Sequence, residues 1–215
     1  MPYRCSIYGL GVVANQRIPG VPASSTRADD IRITFDSLPS WLNGVTQTET
    51  YVADYKDECG KPVLRVFRVL EGKYYRFAYA DQTEFLVDRE GAEIWARWPE
   101  PLTLEDAATY LLGPIMGFVM LLRGVVCLHA SAIAIADEAI ALVGPAGSGK
   151  STTAAAFSDR GYSVLAEDVV TLDDRADHFL VRPAYPCIRL WPASVKALYG
   201  TETHLRKLTP NWDKR

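Results

Sequence analysis

Apolar and polar residues alternate in short runs over the first hundred positions. Ile31-Arg32-Ile33-Thr34-Phe35 has the period of two expected of a half-buried strand. Val63 to Leu70 and Lys73 to Tyr79 form two further runs, and Glu71-Gly72 between them predicts a hairpin turn. Asp81-Gln82 leads into Glu84 to Val87, and Glu90-Gly91 leads into Ala92 to Ala96. Consecutive hairpins predict an antiparallel meander, and with it a β-rich N-terminal domain over residues 1–102.

The pattern changes after Pro99-Glu100-Pro101. Thr103, with Asp106 three residues on, has the form of a helix N-cap, and the apolar run beyond it continues to about Arg123, where Gly124 stops it. This predicts a connecting helix over 103–124. Its uncharged core, Ala107 to Leu122, is shorter than the ~20 apolar residues a membrane span needs and is broken by Gly113, Pro114 and Gly117. A buried helix is expected, not a membrane segment. From Val125 onward, short strand-like runs flank one helix, which predicts an α/β unit over 125–215 and an α+β chain overall.

Composition narrows the function classes. The 215 residues leave room for one good core or two of roughly 100 residues each. A net charge of −3 does not favour electrostatic binding to nucleic acid or to anionic lipid. Cys5, Cys59, Cys127 and Cys187 are widely spaced and form no CxxC pair, which fits a reducing cytoplasm. The first residues lack a signal-peptide pattern.

The candidate chemistry lies in Gly144-Pro145-Ala146-Gly147-Ser148-Gly149-Lys150-Ser151, which fits G-x-x-x-x-G-K-[ST]. Its flanks suit the motif. Ala139 to Val143 is a short apolar strand, and Ser151 to Phe157 is a small-residue helix that Gly161 can cap. The glycines let the backbone aim its N–H groups inward at an anion, and the helix start adds unpaired N–H groups and its dipole. Lys150 can reach β- and γ-phosphates, and the Ser151 hydroxyl can hold Mg²⁺.

Two neighbouring segments carry further candidates. Val125 to Ala136 precedes the loop strand with only Asp137-Glu138 between them, so the two should form an antiparallel hairpin. With Asp137-Glu138 as the turn, His129 falls opposite Ala146 and near the γ-phosphate end. After the helix, Ser163 to Ala166 is a second core strand ending in Glu167-Asp168, a pair that can serve Mg²⁺ and accept a hydroxyl proton. Adjacent residues of an extended chain point oppositely, so the pair can share one job only if the strand is kinked there.

Leu128-His129-Ala130-Ser131, the loop at 144–151, Arg160-Gly161-Tyr162 and Ala166-Glu167-Asp168 follow one another in an order and spacing that resembles the HPr serine kinase/phosphorylase family. Pro186 to Pro192, with Arg189-Leu190-Trp191, is similar to the continuation in HPr-kinase-related proteins. Such relatives include kinases found beside lasso-peptide genes, which phosphorylate a serine of a precursor peptide. The resemblance implies a cytoplasmic kinase with a phosphoenolpyruvate-carboxykinase-like core, using ATP and Mg²⁺ on a protein or peptide serine, and forming a homo-oligomer. It implies that Gly144, Gly147, Gly149, Lys150, Ser151 and Thr152 hold the phosphates and metal. It also places His129 at the reaction centre. Glu167 stands where the family has the first Asp of a pair, so either Glu167 is the base and Asp168 joins Ser151 on the metal, or the reverse holds. Family members also run on with C-terminal strands and helices that Pro210 to Arg215 do not supply. A nucleotide-sensing module without transfer activity is one rival expectation. A small-molecule kinase, marked by a closed pocket beside His129, is another.

Overall fold

The computed structural model describes residues 2–25, 28–202 and 204–215. The chain is a strand-rich α+β fold with one large sheet and two small ones. The large sheet contains β1 (Tyr3–Ile7), β2 (Leu10–Ala14), β3 (Ile31–Phe35), β4 (Gln47–Val52), β5 (Leu64–Val69), β6 (Tyr74–Tyr79), β7 (Glu84–Asp88) and β8 (Glu93–Arg97), in the order β1-β2-β3-β8-β7-β6-β5-β4. The run β5 to β8 is the antiparallel meander that the alternation predicts. The structure adds a β1–β2 hairpin, closed by Tyr8 and Gly9 with φ of 53° and 76°, as a two-residue turn of the primed type requires. It also places β3 parallel to both β2 and β8, which makes the sheet mixed. Ile31, Ile33 and Phe35 of β3 are buried, while Arg32 is exposed, so the period of two is used as expected.

The connecting helix follows as α1 (Leu104–Tyr110), a π-helical turn (Leu111–Ile115) and α2 (Met116–Leu122). Thr103 and Asp106 make a reciprocal capping box: the Asp106 N–H donates to Thr103 Oγ1 at 3.4 Å, and the Thr103 N–H donates to Asp106 Oδ2 at 2.9 Å. Gly124, with φ of 74°, ends the helix. Pro114 lies inside the π turn, where a missing N–H and a bulky ring forbid regular α-helical bonding. The stretch Leu104–Leu122 is long and apolar enough to cross a membrane, but 67% of it is buried against the rest of the chain. Phe118 meets Tyr75 and Phe77 of the large sheet edge-on at 5.0 and 4.9 Å.

The remaining elements are β9 (Val126–Leu128), β10 (Ala130–Ile135), β11 (Glu138–Val143), α3 (Lys150–Ser158), β12 (Ser163–Ala166), β13 (Val170–Asp174), β14 (Phe179–Val181) and α4 (Pro192–Tyr199). They form two three-stranded sheets, β11-β10-β12 and β14-β13-β9, with every pairing antiparallel. Helix α3 packs on β10 and β12. The expected hairpin before the glycine-rich loop is present, but its register differs by two residues. Ile135 pairs with Glu138, so the turn is Ala136-Asp137 rather than Asp137-Glu138. Ala136 takes a φ of 53°, a conformation its side chain does not advertise. His129 is therefore not opposite Ala146. One cluster of buried apolar residues runs from Cys5 and Phe85 through Leu111 and Met116 to Ala132, Ala166 and Tyr185, joining the large sheet to the elements around the loop.

Candidate functional site

The site lies where two strand pairs change sheets. β10 pairs with β12 through Ala132 and Ala166, and β9 pairs with β13 through Leu128 and Val170. The residues between these pairs, His129 on one chain segment and Glu167 to Val169 on the other, belong to neither ladder. Freed from strand geometry, Asp168 adopts a φ of 73°. That left-handed step supplies the kink an extended chain lacks, so both carboxylates reach the same guanidinium. Arg189 Nε donates to Glu167 Oε2 at 3.3 Å, Arg189 Nη2 to Asp168 Oδ2 at 2.9 Å, and Arg189 Nη1 to the Thr109 carbonyl of α1 at 3.1 Å. Burial alone would lower the affinity of Arg189 for its proton. Tyr185, Glu167 and Asp168 outweigh it and push the guanidinium pKa up, so Arg189 stays charged.

The glycine-rich loop approaches from the other side. Gly147 and Gly149 have φ of 80° and 89°, where a side chain would strain the backbone, and Gly149 caps α3. A Cβ on Gly144 would lie 2.7 Å from Ser148 Oγ. Lys150 Nζ donates to the loop's own carbonyls at Gly144, 2.9 Å, and Pro145, 3.1 Å. The Ser151 hydroxyl donates to Glu167 Oε1 at 2.7 Å, and Thr152 Oγ1 donates to Ser194 Oγ of α4 at 2.7 Å. The first-turn hydroxyl of α3 thus meets Glu167 and not Asp168. Asp168 is paired instead with His129, whose Nε2 lies 3.6 Å from Asp168 Oδ1.

These groups surround a cleft of about 480 Å³. Ala146, Gly147, Gly149, Lys150, Ser151 and Thr152 line it, as do His129, Glu167 and Asp168. Gly144, Pro145 and Ser148 shape the loop from outside the cleft. The loop, the His129 segment, the Glu167-Asp168 pair and Arg189-Leu190-Trp191 therefore share one space, while Arg160-Gly161-Tyr162 lies outside it.

Several contributors were missed by the sequence reading. Ser131 lines the cleft, is 1% exposed, and its hydroxyl is buried without a partner among the described residues. Its only mark in the sequence was its place in the Leu128-His129-Ala130-Ser131 block, because His129 itself lies between two strands. Arg189 was marked only through the Arg189-Leu190-Trp191 resemblance, with no role attached to it, and Lys214 had no signal. Leu190 and Arg215 exchange backbone hydrogen bonds, both at 2.7 Å, and this pairing brings Lys214 to the cleft wall, 5.1 Å from the ring centre of Trp191. Burial lowers the Lys214 pKa, and Arg189 adds to the shift while Glu167 and Asp168 oppose it. Gly113, in the π turn, is the last contributor. A Cβ there would sit 2.7 Å from Asp168 Oδ2, so only hydrogen fits beside the carboxylate.

Ser151 meets a carboxylate, Glu167, and the Ser131 hydroxyl lines the same cleft, so the oxygen donors at this end are two hydroxyls and a carboxylate that Arg189 also holds. That chemistry suits a hard divalent cation that keeps several waters and shares phosphate oxygens. In comparisons with known proteins, no family model, no curated protein and no solved structure matches the chain.

Proposed function

We propose that the protein is an ATP-dependent kinase of the HPr-kinase-like class that transfers the γ-phosphoryl group to a serine hydroxyl of a protein or peptide. The observation that carries this reading is the convergence of the glycine-rich loop and Ser151 on Glu167, with the His129–Asp168 pair beside them in the same cleft. The N–H groups of the loop and the start of α3 would cradle the phosphates. Lys150, which now holds its own loop's carbonyls, would exchange them for phosphate oxygens. Mg²⁺, held by Ser151 and Glu167 with the Ser131 hydroxyl nearby, would neutralise charge on the transferring group.

Of the two divisions of labour between the acids, the geometry favours Glu167 on the metal side and Asp168 as base. Asp168 lies on the His129 side and its side chain is 33% exposed, whereas Glu167 is almost fully covered. The acceptor oxygen bonds to the γ-phosphorus, the bond from that phosphorus to the β-bridging oxygen breaks, ADP leaves, and the hydroxyl proton passes to Asp168. Catalysis is then mainly positioning and charge stabilisation.

One observation favours a second reading. Arg189 holds both carboxylates, so in this arrangement their oxygens are already engaged by a buried guanidinium. A nucleotide-sensing module would leave that clamp closed. Labelled ATP incubated with serine peptides separates the two. Label on serine, lost in Lys150→Ala together with most ATP affinity, is the expected result. Saturable ATP binding without label on any hydroxyl would leave the sensing module, and transfer unchanged by Lys150→Ala would remove the mechanism.

A further inference from the structure

A second cavity, of about 620 Å³, opens between the large sheet and α2. Leu64, Val66, Tyr75 and Phe77 form its sheet wall, and Phe118 and Leu121 form its helix wall. It meets the phosphate-loop cleft at two residues, His129 and Asp168, which line both spaces. Among the described residues that line it, Asp168 is the one carboxylate and His129 the one imidazole, and the others are glycine or apolar, aromatic, hydroxyl or thiol side chains. The size and apolar character suit a specific ligand, for which pockets run from roughly 300 to 1,000 Å³ with few polar groups. The part of a ligand that enters this space is apolar, and polar groups meet it only at the hydroxyls of the wall and at the His129–Asp168 end.

The rim argues for a chain segment and against a compact small molecule. Tyr51 and Leu121, at 54% and 60% exposure, leave the cavity open along one side. Tyr51 and Thr50 belong to β4, the outermost strand of the large sheet, which has no strand partner on its far side among the described residues. An unpaired strand edge offers main-chain N–H and C=O groups to an extended peptide, and the adjoining pocket selects among its side chains.

We infer that this slot is the acceptor subsite of the kinase proposed above. It takes a large apolar side chain of an extended peptide and so delivers a neighbouring serine hydroxyl to Asp168. The inference rests on the kinase reading, and the test below separates the two. Three fluorescein-labelled decapeptides carry one serine each, flanked by Leu and Phe, by Asp, or by Lys. Their binding is followed by anisotropy with a non-hydrolysable ATP analogue present, and phosphoryl transfer is followed with labelled ATP. The apolar-flanked peptide should bind and turn over about tenfold better than the charged ones. Leu121→Asp, at an exposed position, should raise both its Kd and its KM about tenfold and leave ATP affinity unchanged. Tyr51→Asp, on the opposite rim, should act in the same direction.

Equal use of all three peptides, or a Kd and KM untouched by both variants, overturns the slot while labelled serine keeps the kinase reading. Peptide binding that needs Leu121 but yields no labelled serine overturns the kinase reading and the acceptor role together. Neither binding nor labelling overturns both.

Discussion

Phe85 and Glu167 are both almost completely covered, at 0% and 4% exposure, yet their regions use burial differently. Around Phe85 the large sheet covers Ile7, Val12, Phe35, Val87 and Ile94 with other apolar side chains, and each covered group adds to stability. In the cleft with Glu167 the covered groups include Ser131 and Arg189, which cost free energy unless hydrogen-bonded. Arg189 and Glu167 satisfy each other, but the Ser131 hydroxyl has no partner among the described residues. Buried polar atoms without partners among the described residues also occur at the large sheet, at Arg76, Tyr79 and Thr83, so what sets Ser131 apart is that it lines the cleft beside the glycine-rich loop. At the junction between the small sheets Asp168 also takes a left-handed φ of 73°, the step that turns its carboxylate toward Arg189.

Substitutions in the two regions should therefore have separable effects. The largest is expected in the large sheet. Phe85→Ala removes a fully covered ring and should cost about 3–5 kcal/mol in urea unfolding, with ATP affinity of the folded fraction unchanged. Equal loss of both would mean the sheet and the cleft are not separable.

A smaller effect tests a buried polar group that does belong to the fold. Burial alone would raise the Asp106 pKa, but hydrogen bonds from Thr209, Asn211 and Thr103 outweigh it and hold the carboxyl below its ordinary value. Asp106→Asn keeps the shape, weakens the cap, and should cost about 1 kcal/mol at neutral pH. A depressed folded value means this stabilisation is complete above the unfolded value of about 3.9 and is lost as pH falls through the folded value. Thermal melts should show wild type and variant converging as the solution is acidified below about pH 4. A gap that widens on acidification would reverse the assigned sign.

The smallest stability effect belongs to the cleft. Ser131→Ala removes an unpartnered hydroxyl, so unfolding free energy should change by less than about 0.5 kcal/mol or rise slightly. Phosphoryl transfer should nevertheless fall several-fold. A stability loss above about 1 kcal/mol would mean that this hydroxyl helps hold the fold.

Local patterns made much of this legible. The meander β5 to β8 followed from alternation and Gly-bearing turns. The connecting helix followed from Thr103, Asp106 and Gly124, which act within one turn of the chain. The loop at 144–151 was identifiable because strand, glycines, lysine and helix are contiguous. What remained hidden depends on distant partners. The parallel seat of β3 between β2 and β8 leaves no mark in either run. The hairpin register slipped because Ala136, with no turn signature, takes the left-handed position. The change of sheet at His129 interrupts a segment whose apolar character is continuous. Arg189 lies 21 and 22 residues beyond the acids it holds, and Lys214 arrives through the chain's last residues.

The missing side chain at position 113 has a consequence for anyone altering this protein. Even the smallest addition there, a single methyl, would press on an oxygen of the acid next to His129. Helix-strengthening replacements, usually harmless in a long apolar segment, would at this one position be felt directly by the Asp168 carboxylate. The connecting segment thus has a blind spot for conventional stabilisation, set by a neighbour that lies 55 residues away along the chain.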